Sequence, residues 1–596
     1  MLIPLLLAFV PLQTAPPWDG YLDDAALSAR LNGWTTTFPE HVRIDTYGTS
    51  REGRPLLVAT LAGDLATADS KPAILVVAAM DGLHPAGTEY AVRIGELMLA
   101  ENPALLDQTT IYVLPLANPD GISANHGPLN RGRRGVSRLV DGDRDGAVDE
   151  NGPRDLNGDG VISQMRWLNP PLSRPATHLP DPAEPRLMKT PDRSKGEEAT
   201  HLLMIEGVDD DGDGLVGEDG PGDVRLDRNF PHLWQEHSVD AGPYQLSEPE
   251  SLAIAEFVLA HPRIVAAVVY GPNDSVVAIP ASDKKDKTNQ TPIGIDADDK
   301  SLYTKISEVY AEHTSQKRAT NDADAGGLHS WLYAHRGIPT VSTNGWGRPD
   351  PTVPEKEASA EPVAGEEEAP EAEKSAEADD AKNTEKPETE KKEAEKKETE
   401  KKEEPPKPAD EEAAGWLAWS DADRDGSGFI EWHSFEHPNF GTVEIGGMVP
   451  GFTSNPPPEL LDAIAREQVA FIAAFSAMQP NVTIEGPEVE AVGHGTYRVR
   501  IAMVNAGGMP TRTAMARRNR AIRPIVVRLD LDRDRILDGA PVNRIEGLDG
   551  DGGRATLDWV IRPAAGSVMI RIDDPLTGVR TIEVPLPQQG EEGDAS

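Results

Sequence analysis

Apolar and polar positions alternate along this chain with changing periods, and the changes mark its elements. The stretches 56–62, 74–79, 110–116, 264–270 and 340–343 are almost continuously apolar, over lengths suited to strands buried on both faces. Between them, apolar residues recur every three or four positions, which predicts helices at 88–100, 249–260, 301–313 and, later, 458–478. Strands alternating with helices predict an α/β fold, a mixed sheet flanked by helices on both faces. From 482 to 587 the pattern changes to short strands of period two, such as 496–504, 524–529, 556–561 and 567–572, with turn residues between them. A small C-terminal β-sandwich over 480–590 accounts for that pattern.

Two regions interrupt the alternation. Residues 351–413 are almost wholly Glu, Lys, Ala and Pro. Such a segment buries too little apolar surface to offset its ordering entropy, so a disordered insertion is expected. It splits one domain into a first part, 18–350, and a final part, 414–479. The region 125–222 is loop-rich, with carboxylates at alternate positions followed by glycine. The repeats place Asp141, Asp143 and Asp145, then Asp155, Asn157 and Asp159, then Asp209, Asp211 and Asp213 in short loops, and Asp421, Asp423 and Asp425 repeat the pattern beyond the insertion. This is how a short loop wraps a hard cation, so structural calcium is expected.

Composition narrows the partners. Among 596 residues, 100 Asp plus Glu face 58 Lys plus Arg, a formal net charge of -42 that argues against nucleic acid and anionic membranes. Cysteine is absent, which excludes a disulfide framework. The apolar run 1–10, followed by Leu12-Gln13-Thr14-Ala15, predicts a signal peptide over 1–15 and export to the periplasm or the extracellular space. That run is too short to span a bilayer, and no later stretch is long enough.

The chemistry centres on the end of the run 74–80. It stops at Asp81-Gly82-Leu83-His84, and a helical pattern resumes soon after. The turn therefore lies at the carboxyl edge of the sheet, where open α/β folds carry ligands. Asp81 and His84 are an O/N pair that zinc accepts.

The surroundings resemble the zinc carboxypeptidase (carboxypeptidase A-like) family. The resemblance rests on Tyr47-Gly48-Thr49-Ser50-Arg51-Glu52-Gly53-Arg54-Pro55, Asn118-Pro119-Asp120-Gly121, Leu226-Asp227-Arg228-Asn229-Phe230-Pro231 and Gly326-Gly327-Leu328-His329-Ser330-Trp331, in that order along the chain. It extends to the segment 435–447. It implies the family's mixed-sheet fold, a zinc cofactor, hydrolysis at peptide C-termini, and a peptide or protein C-terminus as partner.

Against that pattern, the functional positions are altered. The family carries His-x-x-Glu where this chain has Asp81 and His84. Its third zinc ligand is a His after a later strand, where this chain has Gly271-Pro272. Its general base is a Glu, and the matching segment here is Thr343-Asn344-Gly345-Trp346. An amide cannot accept a proton from water, so Asn344 cannot serve as the base. Arg228 stands where the family clamps a terminal carboxylate, with Asp227 in place of the family's Asn. Arg131, Arg133 and Arg134 lie where a transition-state arginine is expected, with Arg133 as the substrate-side candidate. Asn273 or Asp274 is the remaining source of a third metal contact, and Glu444 is the remaining carboxylate near the end of the fold. His329 and His335 are expected to cap or pack. Two functions compete: a catalytically impaired peptide-binding or scaffold module, and a metallohydrolase rearranged around Asp81 and His84.

Overall fold

The computed structural model describes residues 20–139, 146, 148, 152–210, 212, 216–217, 224–319, 325–350 and 407–587. In chain order the first part contains α1 (Asp24–Thr37), β1 (Val42–Thr49), β2 (Pro55–Leu61), β3 (Ala73–Ala78), α2 (Pro85–Glu101), α3 (Pro103–Gln108), β4 (Thr110–Leu114) and α4 (Pro119–Asn125). There follow β5 (Gln164–Leu168), β6 (Leu179–Pro180), β7 (Met188–Lys189), β8 (His201–Ile205), α5 (Pro249–Ala260), β9 (Ile264–Tyr270), α6 (Lys300–His313), α7 (Leu328–Arg336) and β10 (Thr340–Thr343). Beyond the insertion come α8 (Glu411–Asp423), β11 (Phe429–His437), β12 (Gly441–Met448) and α9 (Leu461–Ala477).

The main sheet has the order β1-β2-β4-β3-β9-β10. β3, β4, β9 and β10 pair in parallel, and the β1–β2 hairpin adds antiparallel strands at one edge. The alternation of strands and helices requires this mixture, because parallel neighbours need crossover helices. β3 and β9 are buried along their whole length, since helices cover both faces. One face packs against α1, α2, α6 and α9 through Leu31, Trp34, Ile94, Met98, Ile306 and Phe471, and the other against α5 and α7 through Ile254, Val258, Leu328 and Leu332. Gly95 is glycine for steric reasons: a Cβ there would come within 2.3 Å of the Trp34 ring.

A second, antiparallel sheet of order β11-β12-β5-β8 draws its strands from both sides of the insertion. The insertion expected to end at 413 ends earlier, because α8 begins at Glu411 with Asp410 as its N-cap, the Asp410 side chain accepting from Ala413 N at 2.8 Å. Asp421 and Asp423 therefore lie in a helix and not in a cation loop, and Asp421 forms a two-pronged ion pair with Arg186 at 2.8 and 3.0 Å. The signal segment, Asp141, Asp143, Asp145, Asp211, Asp213 and the bulk of the insertion lie outside the described residues.

Residues 482–585 form the C-terminal β-structure: β13 (Val482–Gly493), β14 (Thr496–Asn505), α10 (Ala514–Asn519), β15 (Ile525–Asp530), β16 (Ile536–Asp538), β17 (Val542–Ile545), β18 (Gly553–Ile561), β19 (Ser567–Asp574) and β20 (Gly578–Pro585). Two four-stranded antiparallel sheets, β13-β14-β18-β16 and β17-β15-β19-β20, enclose Val499, Ile501, Val527, Trp559 and Ile570, as the period-two pattern requires. Asp299 ties this sandwich to the first domain, its buried carboxylate accepting from Ala514 N at 2.7 Å and Met515 N at 3.0 Å.

Candidate functional site

The carboxyl ends of β3, β9 and β10 open into a crevice of about 610 Å³, lined by Leu83, Arg134, Pro272, Asn344, Trp346 and Trp416 among others. β3 leaves the sheet through Ala79, which takes a positive φ of 53°, a conformation that costs a side-chain-bearing residue energy and is held by its surroundings. Asn118 N donates to Ala79 O at 2.9 Å. The Asn118 side chain caps Gly121 N at 2.9 Å and also reaches the Arg134 and Gly135 carbonyls. Asn125 Nδ2 donates to Gly82 O at 2.8 Å and Arg133 O at 2.7 Å. These two amides stitch the segment 133–135 to the Asp81–His84 turn. The approach is close enough that a Cβ on Gly82 would lie 2.4 Å from Arg133 O.

The stitching brings Arg134 onto Asp81. Arg134 Nε and Nη2 approach Asp81 Oδ2 at 2.8 and 2.6 Å, and Arg225 Nη2 lies 3.7 Å from the same oxygen. Asp81 Oδ1 accepts from Leu83 N at 2.9 Å. The carboxylate, 5 % exposed, thus has guanidinium groups where a metal ligand would face its ion. His84 is 1 % exposed. The carbonyls of Asn344 and Tyr270 face its ring, yet neither ring nitrogen makes a hydrogen bond of good geometry. Burial pushes its pKa down to about 4, against the opposing pull of Asp81 and those carbonyls, so the imidazole is neutral at pH 7.

The remaining predicted residues have other partners. A Cβ on Gly271, where the family's third ligand would stand, meets nothing within 4 Å, so that position is open. Asn273 is buried and donates to Asp227, while Asp274 accepts from Val276 N and Ala278 N at 3.2 and 2.8 Å. Asp227 also accepts from Leu328 N at 2.8 Å, so it serves as a structural acceptor, and Arg228 pairs with Asp240 at 2.7 Å, not with Asp227. Arg133 is buried, and its N donates to Asn125 Oδ1 at 3.0 Å. Glu444 lies on β12, paired with Arg166 at 2.8 Å, and does not line the crevice. Asn344 does line it: its Nδ2 donates to Trp346 O at 3.1 Å and Ser454 O at 3.0 Å. Two carbonyls therefore select a donor at this position, and a carboxylate would face them unpaired. His329 is buried on α7, and His335 lies edge-on to His232 at 5.5 Å.

Zinc is the cofactor of the zinc carboxypeptidase family, and the donor set at this crevice does not fit it. Among the described residues no three His, Asp or Glu side chains converge as a metal site. Asp81 is committed to arginines, and Asn344 is committed as a donor. In the loop 155–160, the Asp155 carboxylate accepts from Gly158 N at 2.7 Å and Gly160 N at 2.9 Å, and Asp159 accepts from Val161 N at 2.9 Å. Sequence reasoning missed Arg225 beside Asp81, and Arg348 and Ser454 at the crevice, since only folding brings them there. The loop-bridging roles of Asn118 and Asn125 were equally silent, although Asn118 opens the Asn118-Pro119-Asp120-Gly121 segment.

The zinc carboxypeptidase family matches residues 27–150, and a domain of unknown function (DUF8731) matches residues 481–585, the C-terminal sandwich. Carboxypeptidase E of Caenorhabditis elegans is 33% identical over 114 residues, 17% of this chain and 24% of that protein. A zinc carboxypeptidase of Saccharothrix mutabilis subsp. capreolus is 29% identical over 111 residues, 18% of this chain and 26% of its own length. The chain thus spans about a quarter of the curated relatives it matches. Among solved structures, bovine thrombin-activatable fibrinolysis inhibitor in complex with tick carboxypeptidase inhibitor aligns at 15% identity and a TM-score of 0.33, over 54% of this chain and 86% of that one. Carboxypeptidase A from Helicoverpa armigera aligns at 14% identity and a TM-score of 0.33, over 54% of this chain and 64% of its own. No helix among the described residues is long and apolar enough to cross a membrane. On its sequence matches, the chain carries a domain of the zinc carboxypeptidase (carboxypeptidase A-like metallocarboxypeptidase) family.

Proposed function

We propose that this chain is an exported, catalytically impaired zinc carboxypeptidase homologue that binds peptide or protein C-termini without cleaving them. The observation that carries the reading is the pairing of Asp81 with Arg134 and Arg225, a fixed positive charge against the carboxylate that would otherwise face an ion. The amide of Asn344 at the general-base position removes the second requirement, a group able to take a proton from water. The crevice itself persists, with indole and guanidinium groups suited to a peptide carrying a carboxylate. The alternative, hydrolysis through a zinc site rearranged around Asp81 and His84, requires Arg134 to leave a buried carboxylate. Export rests on the apolar run 1–10, and structural calcium on the acidic loops, of which 155–160 is the described example.

The test is a titration of the full chain with an N-acetylated tripeptide ending in phenylalanine, as free acid and as amide, with mass spectrometry of the peptide after overnight incubation. Binding of the acid with no shortened product supports the proposal. Time-dependent release of phenylalanine contradicts it, as does the failure of both peptides to bind.

A further inference from the structure

The crevice contains a charge pair that neither the main sheet nor the Asp81 turn explains. Arg348 and Arg318 line it, and so does Glu412 from the first turn of α8. Arg348 Nε and Nη2 donate to Glu412 Oε1 and Oε2 at 3.2 and 3.1 Å, and Arg318 Nε lies 3.9 Å from Oε2. Arg318 is itself held in place, donating from Nη1 to Arg348 O at 2.9 Å and from Nη2 to Asp350 Oδ1 at 2.5 Å. α8 passes close to the guanidinium: a Cβ on Gly415 would come within 2.4 Å of Arg348 Cζ and Nη2. A parallel, two-pronged carboxylate contact of this kind is what a guanidinium offers to any carboxylate, whether from the chain or from a ligand.

The two ends of α8 differ. Trp416, Leu417, Trp419 and Ser420 are buried, and Trp416 and Trp419 pack with Trp346 and Phe452 in an aromatic cluster. Asp421 is pinned by Arg186. At the first turn Glu411 and Glu412 are exposed, and the turn is held by the Asp410 cap on Ala413 N and by the contact of Glu412 with Arg348. Glu412 is 50 % exposed while Arg348 is 7 % exposed, so the arginine is the fixed half of the pair and the carboxylate the exchangeable half.

We propose that Glu412 is a built-in competitor, occupying the Arg348–Arg318 guanidinium pair in place of a ligand's carboxylate, so that the first turn of α8 must yield before an acidic ligand seats in the crevice. This rests on the peptide-binding reading above and adds its regulation. With Glu412 half exposed the pair is worth about 1 kcal/mol, so releasing it tightens binding about fivefold.

The probes are the same acetylated tripeptide as free acid and as amide, titrated into the full chain and into Glu412→Gln, which keeps size and removes charge. The expected result is about fivefold tighter binding of the acid, a gain that shrinks in high salt, and no change for the amide. Arg348→Gln in the Glu412→Gln background cancels the gain. Equal affinity of the two chains for the acid overturns the competitor while leaving peptide binding intact, and so does an equal gain for acid and amide. Failure of both chains to bind either peptide overturns the peptide-binding reading, and the competitor with it.

Discussion

Buried carboxylates in two regions of the first domain are balanced in different ways. At the crevice, Asp81 has Arg134, Arg225 and a backbone amide. Beneath the β1–β2 turn, Asp120 accepts from Ser50 Oγ at 2.8 Å, Arg54 Nη1 at 2.6 Å and Glu52 N at 3.0 Å, and Glu248 pairs with Arg51 and Arg138 at 2.6 and 2.7 Å. Glu250, fully buried beside them, accepts from Arg51 N at 2.8 Å but leaves Oε2 without a hydrogen-bond partner. Burial pushes its pKa up to about 7, aided by the nearby Asp120 and Glu248 carboxylates. Asp81, Asp120 and Glu248 are neutralised by arginines, Glu250 by holding a proton. A carboxylate already facing guanidinium groups has little left to offer a metal ion, whereas one without them answers to pH.

The comparison breaks most visibly at Asn344. Asn344→Glu places a buried carboxylate against the Trp346 and Ser454 carbonyls and is expected to cost about 4 kcal/mol in urea unfolding. A cost near zero would mean the position accepts an acid, and the two-carbonyl account fails. The next effect belongs to Glu250. Its folded pKa of about 7 exceeds the ordinary value of 4.5, so the folded state holds a proton that the unfolded state has lost between those pH values. Stability from this group is complete below about pH 4.5, falls as pH rises towards 7 and is flat above it. Glu250→Gln removes that fall, gaining on the order of 3 kcal/mol relative to the parent between pH 4.5 and 8. Parallel stability curves for parent and variant would contradict it.

Arg134→Ala leaves Asp81 with Arg225 and the Leu83 amide and is expected to cost about 2 kcal/mol, discounted because Arg134 is 38 % exposed. Asp81→Asn in the same chain should recover most of the loss, and strict additivity would dissolve the pair as an energetic unit. The smallest effect contrasts the crevice with the loop 155–160. Calcium should raise the unfolding midpoint by less than about 1 kcal/mol equivalent, and Asp159→Asn should abolish the rise, while zinc added to the parent leaves the midpoint unchanged.

Much of the scaffold was legible because it is written locally. The continuous apolar runs at 74–79, 264–270 and 340–343 became β3, β9 and β10, and the Asp81 turn fell at their carboxyl edge. The period-two region became the two sheets of the sandwich, matching the span of a recognised domain. The partners of the site residues were not legible, since each comes from far along the chain: Arg225 to Asp81, Ser454 to Asn344, Glu412 to Arg348. Local pattern also misled where an alternation of acids met a helix. The spacing of Asp421, Asp423 and Asp425 looks like a cation loop, but the buried Trp416 and Trp419 continue the helix as far as Asp423. Burial of two indoles outweighs the weak turn preference of the aspartates.

The central claim is that guanidinium groups have taken the place of the ion beside Asp81. Metal analysis of the full chain, purified and then equilibrated with zinc and desalted, tests it directly. The account predicts far less than one zinc per chain and no loss of a terminal residue from the peptide acid. One retained zinc per chain, whose removal by a chelator abolishes release of that residue, would contradict it.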